Sequence, residues 1–429
     1  MVFNKLDKKT LITITAVVSA FVLIFAVVAV VLGIVLNRDN EEPDAPVEEN
    51  EASMVAEMNG VWSASISNID FPSKPDLTED ELKAELDSIV ETAESVGLNT
   101  IFFQVRPSAD ALYDSDIFPV SRYLSSEGKL TLDPLEYIIE AAMKKNISVH
   151  AWINPLRVAV GGTADDLPDG HPGKEHPEWC VKYADGKIYF DCGIPEVRQL
   201  VADGIKEIIE GYDVGGIVFD DFFYPYPQYE TDSEGNKTVA AFEDSTTFNR
   251  FGTEYDDIGD WRRENVNSLV KLAYNTVKET DKECCFGVSP FGIWKNGYGD
   301  DSGSATRGSQ SYYDIYCDSI AWVKDGYVDY IAPQLYWRAE ESAASYTALC
   351  DWWAMMVEDT DVSLFISHGA YRYDGWESPE GVMTSQVEYA SSFDSYKGSF
   401  FYGYEEIKAN TMGIADELIS LYCTEENAE

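Results

Sequence analysis

The chain has 429 residues, a formal net charge of −45 at pH 7, and hydrophobic residues at 45% of its positions. This length fits one large domain, such as an α/β barrel with long loops, better than a single small one. So acidic a chain lacks the basic stripe that nucleic acid or anionic lipid would contact, and we expect neither as a general surface partner.

The N-terminal region contains an unbroken apolar run from Leu11 to Leu36 without a charged residue. This run exceeds the roughly 20 residues that cross a bilayer as a helix, whereas a cleaved signal peptide, the alternative, has an apolar core of about 7 to 15 residues. Three lysines precede the run and acidic residues follow it. The positive-inside rule therefore predicts a single-pass anchor within residues 1–36, with the N-terminus in the cytoplasm and the remainder extracellular.

An acidic segment at 37–58 follows the anchor and contains two prolines but no apolar period, which is typical of a solvated tether. The folded domain is predicted over residues 59–429. Cys180 and Cys192 flank a predicted hairpin that turns at Asp185-Gly186. The sequence leaves open whether these two cysteines form a disulfide or remain free thiols.

In the folded domain, short apolar strands alternate with segments of helical period, which indicates repeated βα units and a parallel sheet. The predicted strands are 60–66, 100–105, 148–153, 215–219, 285–289, 327–332, 363–367 and 399–402. The predicted helices are 78–96, 134–145, 195–210, 261–278, 312–324 and 343–357. The first of them has Thr78 as its N-cap and Glu81 three residues on, a capping box. Eight units favour a closed (β/α)8 barrel over the alternative, an open doubly wound sheet, whose glycine-rich fingerprint is missing after the first strand.

In this fold the chemistry lies where strands end and βα loops begin. Two adjacent carboxylates, Asp220 and Asp221, end the fourth strand in the segment IVFDDFFYPYP. Other polar and aromatic side chains recur at the strand ends, and the candidate substrate-binding residues are Gln104, Arg106, Asn154, Arg157, Tyr224, Ser289, Trp294, Gln334, Tyr336, Trp337 and His368. Hydrogen-bonding groups interleaved with rings suit a sugar, because a pyranose has hydroxyls at its rim and an apolar C–H face.

Successive motifs also resemble those of a known family. They are GVWSASISNIDFPS, FFQVRPSADALYDSDIFPVSRYL, HAWINPLRV, IVFDDFFYPYP, DWRRENVNSLV, GVSPFGIWKN and YIAPQLYW. In this order they resemble the family 10 glycosyl-hydrolase-like proteins from Asn59 to about Tyr402. The resemblance implies a (β/α)8 barrel that acts on glycans, and relatives of this type cleave peptidoglycan strands that have lost their stem peptides. The family commonly has a glycine before the aspartate of SADALY, and its other members carry a lipoprotein signal where this chain has the predicted anchor.

The adjacent aspartates suggest a mechanism, because two close carboxylates resist ionising together and one is pushed toward the protonated form that a general acid requires. No equally clear carboxylate ends strands five to seven, and the loop candidates are Asp110, Asp300, Asp301 and Glu405. This favours substrate-assisted catalysis, in which the acetamido oxygen of an N-acetylated sugar attacks its own anomeric carbon. By analogy with other N-acetylhexosamine hydrolases, we expect Asp220 to orient the acetamido N–H and Asp221 to act as acid and then base. Tyr336 would complete the amide pocket.

Two arginines, Arg106 and Arg157, are candidates to bind the lactyl carboxylate of peptide-free muramic acid, although each could equally form a salt bridge with a loop carboxylate such as Asp110.

Three other functions are also compatible with the sequence. The closest is a glycosidase with two separated carboxylates, acting as nucleophile or base beside the acid. A surface glycan-binding barrel without turnover is the second. The third, a metal-dependent hydrolase built on Asp220, Asp221 and His368, is disfavoured because none of the four histidines pairs with another at ligand spacing. We predict neither a metal nor a cofactor.

Overall fold

The computed structural model describes residues 55–231 and 235–423. Eight parallel strands close into a barrel and neighbour one another in chain order. The barrel strands are β1 (Gly60–Ser63), β2 (Thr100–Arg106), β3 (Ser148–Ile153), β4 (Gly216–Phe219), β5 (Cys285–Val288), β6 (Tyr330–Ile331), β7 (Ser363–Gly369) and β8 (Tyr396–Tyr402). The first strand pairs in parallel with the last, Gly60 opposite Phe400. The predicted (β/α)8 barrel is therefore confirmed, and all eight predicted strands are present.

A main helix follows each strand on the outside of the barrel. These helices are α1 (Glu79–Ser95), α2 (Pro134–Met143), α3 (Pro195–Gly211), α4 (Ile258–Thr280), α5 (Ser319–Asp325), α6 (Tyr346–Val357), α7 (Val382–Ala390) and α8 (Ile414–Tyr422). Shorter α-helical turns span Pro172–Glu175, Ser245–Phe251, Ser311–Asp314 and Tyr404–Lys408. Turns of 3-10 helix span Ile66–Asn68, Ala164–Asp166, Pro177–Trp179, Ala370–Gly375 and Thr411–Gly413.

Five of the six predicted helices are present as single helices; the sixth is interrupted, and two further helices occur. The capping box of α1 is present, since the Thr78 side chain accepts from the Glu81 amide and the Glu81 side chain accepts from the Thr78 amide. The predicted helix 312–324 is instead interrupted, because Tyr316 has a left-handed φ of 54° and Asp318 caps a new helix, α5. Helices α7 and α8 were not predicted.

The long loops after β3 and β4 carry their own sheets. After β3, the strands Arg157–Ala159, Ile188–Phe190 and Cys180–Lys182 form an antiparallel sheet in that order. The predicted hairpin within it is present and turns at Gly186, whose φ of 83° favours glycine. Cys180 and Cys192 are both free thiols. After β4, Tyr229–Thr231 and Lys237–Val239 form an exposed two-stranded ribbon.

Large rings make up most of the barrel interior, together with small side chains such as Val218 and Ala332. Trp62 stacks on Phe102 with ring centroids 4.4 Å apart and meets Trp152 edge-on at 5.1 Å. Lower in the barrel, Phe365 stacks on Phe400 at 4.8 Å. Because successive side chains of a strand face opposite ways, the residues between these rings pack against the helices. The rings of the upper layer, Trp62 and Trp152, form the floor of the site described below.

The predicted membrane anchor at 11–36 and most of the predicted tether lie outside the described residues. Within them, no helix is both long enough and apolar enough to span a bilayer. The last residues of the predicted tether belong to the barrel, since Val55 and Met58 are buried against its interior rings and the Met58 amide donates to the Lys397 carbonyl at 3.2 Å.

Candidate active site

A cavity of about 380 Å³ opens at the carboxyl-terminal end of the barrel strands. It is lined by Trp62, Trp152, Asp220, Asp221, Phe222, Ser289, Gln334, Tyr336, Tyr371 and Tyr402. Each side chain comes from a strand end or from the first residues of the loop that follows, because parallel strands of a barrel all end at one face. The lining thus combines two carboxylates with a wall of aromatic rings.

Asp220 is buried and surrounded by donors. Trp152 Nε1 donates to its Oδ2 at 3.1 Å, and Asn154 Nδ2 lies 3.1 and 3.2 Å from its two oxygens. The Phe222 amide donates to Oδ1 at 3.1 Å. Burial raises the pKa of Asp220, and the charge of Arg157 and these hydrogen bonds oppose that rise. The donors fix the orientation of the carboxylate and favour its charged form.

Asp221 has fewer donors and a second negative charge beside it. Tyr226 donates its hydroxyl to Oδ2, and Gln334 Nε2 donates to Oδ1 at 3.1 Å. Burial, followed by repulsion from Asp220, raises the pKa of Asp221 to about 6. Of the two neighbouring acids, Asp221 is therefore the one that retains its proton nearer to neutral pH.

Aromatic hydroxyls and ring faces complete the cavity. Tyr336 stacks on Tyr402 with centroids 6.3 Å apart, and Tyr371 meets both rings edge-on. Burial raises the pKa of Tyr336 well above its ordinary value, so its hydroxyl remains a donor. Ring faces of this kind suit the C–H face of a sugar.

Seven predicted site residues come together at this cavity. Asp220, Asp221, Ser289, Gln334 and Tyr336 line it. Asn154 and Arg157 support it from behind, because Asn154 bridges Asp220 and the Arg157 amide, and the Arg157 guanidinium lies 4.7 Å over the Phe222 ring. Arg157 also donates to the Pro107 carbonyl at 2.9 Å.

Two predicted residues on β2 lie elsewhere. Gln104 faces the barrel interior, where its Oε1 accepts from the amides of Ser65 and Ile66, both at 2.9 Å. Arg106 is buried against Phe118, 4.7 Å over the ring, and beneath Gly204 of α3. The register of β2 against β3 shifts between Gln104 and Arg106, so Arg106 leaves the inward-facing row.

Three predicted aromatic residues do not line the cavity, and each has a packing environment of its own. Tyr224 packs against Phe242 and Tyr316, and Trp294 stacks on Trp352 at 5.8 Å. Half-buried Trp337 meets Phe291 edge-on.

His368 points outward from β7, where Nδ1 lies 3.2 Å from Gln386 Oε1 and Nε2 lies 2.8 Å from Ser399 Oγ. Strand alternation explains this, since Phe365, three residues earlier, faces the interior. His368 therefore does not join Asp220 and Asp221.

Six residues of the site were not predicted from the sequence: Trp62, Trp152, Phe222, Tyr226, Tyr371 and Tyr402. Five of these had a usable signal. Trp62, Trp152 and Tyr402 lie at or near the ends of β1, β3 and β8, and Phe222 and Tyr226 follow the aspartates within IVFDDFFYPYP. Tyr371 lies in the loop after β7, where no sequence pattern distinguishes it from other loop tyrosines.

The four loop carboxylates considered as a second acid lie outside the cavity lining. Asp110 lines a separate cavity, and Asp300, Asp301 and Glu405 are exposed. Among the described residues, Asp220 and Asp221 are the two carboxylates of the lining, and no group of three His, Cys, Asp or Glu side chains is arranged to hold a metal ion.

Many glycoside hydrolases act on glycans through paired carboxylates in an aromatic cleft at this end of a (β/α)8 barrel. This chain is a glycoside hydrolase. It belongs to the family described as glycosyl hydrolase-like 10, whose model matches residues 57–377. The predicted resemblance is thereby confirmed.

Relatives in two bacteria support this assignment. Glycosyl hydrolase YngK of Bacillus subtilis is 37% identical over 372 residues, which cover 84% of this chain and 71% of that protein. Glycosyl hydrolase DigH of Escherichia coli K12 is 34% identical over 339 residues, 73% of each chain. Among solved structures, the glycoside hydrolase domain of PgaB (BpsB) from Bordetella bronchiseptica shares the fold, with a TM-score of 0.52 and 11% identity over 86% of this chain and 99% of that one.

Proposed function

We propose that this glycoside hydrolase cleaves the glycan strands of peptidoglycan that lack stem peptides, by substrate-assisted retaining catalysis. The observation that carries the mechanism is the contrast between two adjacent acids in one cavity. Asp220 is held by three donors, whereas burial and its neighbour raise the pKa of Asp221 to about 6. The family resemblance in the sequence motifs supports the substrate.

In the first step, Asp221 protonates the glycosidic oxygen while the acetamido oxygen of the sugar attacks C1. The C1–O bond breaks, and a bicyclic oxazolinium forms on the sugar. Asp220 accepts from the acetamido N–H and stabilises the positive charge that develops there. Tyr336 donates to the acetamido oxygen and orients it for attack.

In the second step, Asp221 removes a proton from water, the water attacks C1, and the acetamido group is restored. The anomeric configuration is retained because C1 is attacked twice from opposite faces. Gln334 and Tyr226, which both donate to Asp221, hold the carboxyl in place during both proton transfers.

Arg157 is the better of the two candidates for the lactyl carboxylate of muramic acid. Its guanidinium borders the cavity at Phe222, whereas Arg106 lies under α3. Arg157→Lys should lower cleavage of muramic-acid strands much more than cleavage of chitin oligomers, because lysine lacks the planar fork for a carboxylate. Equal losses on both substrates would contradict this role.

The decisive experiment is mass spectrometry of products from peptide-free strands, with the domain from Met54 onward as wild type, Asp220→Asn and Asp221→Asn. We expect disaccharide products from the wild type and at least about a hundredfold less from each variant. Strands that bind but stay intact would contradict the proposed substrate. Activity retained in Asp220→Asn would contradict the substrate-assisted route.

A second test addresses the nucleophile. Strands or oligomers with mono-, di- and trifluoroacetyl groups in place of acetyl carry progressively weaker acetamido nucleophiles. Substrate assistance predicts a stepwise fall in kcat along this series, whereas an enzymic carboxylate nucleophile predicts little change.

We also propose that the predicted anchor holds the enzyme in the membrane. The uncharged apolar run 11–36 and the lysines before it support a membrane-bound enzyme whose domain lies outside the cell. Protease treatment of intact cells should then remove the domain and leave a short membrane-bound fragment; protection of the domain would contradict this orientation.

A further inference from the structure

A second cavity, of about 250 Å³, lies beside the active site between the loops that follow β2 and β3. Its lining includes Ser108, Asp110, Val120, Val158, Leu167 and His171. None of these side chains belongs to the active-site cavity described above. The second cavity therefore combines polar groups with an aliphatic wall.

Two of its polar atoms, Asp110 Oδ1 and Ser108 Oγ, are buried and find no hydrogen-bond partner in the part of the chain that the structure describes. Asp110 is 6% exposed; its Oδ2 accepts from Ser121 Oγ at 2.9 Å, whereas none of the described residues donates to its Oδ1 with full hydrogen-bond geometry. Ser108 is 4% exposed, and its hydroxyl also lacks a partner within residues 55–231 and 235–423. Such groups are uncommon, because leaving a buried donor or acceptor unsatisfied costs roughly 1 to 3 kcal/mol. A bound molecule that supplied a donor to Asp110 would remove this cost.

His171 adds a donor to the same cavity. Its Nδ1 accepts from the Gly173 amide at 3.0 Å, which places the proton of the neutral ring on Nε2. Burial lowers the pKa of His171 to about 4, so the ring is neutral at physiological pH. The cavity thus offers an acceptor at Asp110, a hydroxyl at Ser108 and an N–H at His171, beside the positive charge of Arg122.

Arg157 lies between the active-site cavity and the second cavity. It lies over the Phe222 ring, which lines the active site, and donates to the carbonyl of Pro107, the residue before Ser108. The next residue, Val158, lines the second cavity. Arg157 therefore lies between residues that line the two cavities.

We propose that the second cavity is a sugar subsite that holds one N-acetylated residue of the strand, next to the residues bound in the active site. Its acetamido N–H would donate to Asp110 Oδ1, its carbonyl would accept from His171 Nε2, and its methyl group would contact Val158 and Leu167. This inference rests on the proposed function for its ligand, but it can be tested without turnover.

The test measures binding of N-acetylglucosamine oligomers, from dimer to hexamer, by calorimetry to the Asp221→Asn protein. Affinity should rise with length once an oligomer reaches the subsite. Adding Asp110→Asn keeps an oxygen for Ser121 but puts an amide N–H in place of the free Oδ1. We expect about tenfold weaker binding of the longer oligomers and unchanged binding of the shortest one.

Two further variants sharpen the result. His171→Asn keeps an acceptor for the Gly173 amide but removes the imidazole N–H, and it should show the same length-dependent loss. Asp165→Asn removes an equal charge from an exposed position in the same loop, and it should bind every oligomer as the parent does.

The subsite is refuted if affinity does not depend on length, if no oligomer binds, or if Asp110→Asn weakens every length equally. A wrong proposed function would give a different experimental result. In that case the wild type leaves peptide-free strands uncleaved, whereas length-dependent binding and its loss in Asp110→Asn would still establish the subsite.

Discussion

Asp220 and Asp221 are neighbours in the chain, yet their surroundings differ in the way that acid catalysis requires. Trp152, Asn154 and the Phe222 amide all donate to Asp220, and this favours a charged carboxylate. Asp221 bears the additional repulsion of that charge, and its pKa rises to about 6. The order of ionisation therefore follows from hydrogen-bond donors and not from the residue type.

The raised pKa predicts the pH dependence of the reaction. Asp221 must be protonated to act first as acid, so kcat/KM should fall as the pH rises through about 6. The Tyr226 hydroxyl stabilises the carboxylate and lowers this pKa. Tyr226→Phe should therefore move the basic limb of the pH–rate profile to higher pH. A limb that stays in place would show that another group controls it.

The indole of Trp152 should contribute through its N–H as well as its ring. Trp152→Phe keeps a ring on the cavity floor but removes the donor to Asp220, a hydrogen bond to a charged group. We expect kcat to fall about 10- to 100-fold with a smaller change in KM. Trp62→Phe is the matched comparison, because Trp62 Nε1 donates to none of the residues that the structure describes. Comparable losses in the two variants would mean that ring contacts alone matter.

At the scale of elements, the connection between β1 and α1 contains a buried acid whose proton affects stability. Asp70 Oδ2 accepts from the Ala64 amide at 2.7 Å, and burial raises the pKa of Asp70 from 3.8 to about 7. The folded protein then holds a proton that the unfolded chain releases at lower pH. Stability from this group is therefore complete below about pH 4 and declines until about pH 7, by up to about 4 kcal/mol.

Asp70→Asn should remove this dependence, because asparagine keeps an acceptor for the Ala64 amide and does not ionise. Urea unfolding should show a more stable variant at pH 8 and a flatter profile between pH 4 and pH 7. Glu91→Gln, at an exposed position on α1, should retain the wild-type profile. An unchanged slope in Asp70→Asn would contradict the buried proton.

At the scale of the whole molecule, the net charge of −45 should slow encounter with an anionic polymer. Raising the salt from about 10 mM to about 150 mM shortens the Debye length from about 30 Å to about 8 Å. We expect kcat/KM on muramic-acid strands to rise severalfold over this range, while kcat/KM on uncharged chitin oligomers changes little. Parallel salt responses for both substrates would exclude repulsion as the cause.

The sequence alone determined the architecture, because local rules govern the alternation of strands and helices. Apolar runs located all eight strands, and the caps of α1 and α2 follow from side chains within three residues. The break at Tyr316 escaped prediction, since a left-handed residue within a helical pattern leaves no periodic trace.

The tertiary structure decided which strand-end residues form the site. Asp220 and Asp221 are recognisable as a sequence pair, but their different proton affinities come from Trp152, Asn154, Tyr226 and Gln334 on other parts of the chain. The register shift of β2 turns Arg106 away, and strand alternation directs His368 toward the helices. These outcomes depend on side-chain direction and on contacts across the barrel, which residue types at strand ends do not specify.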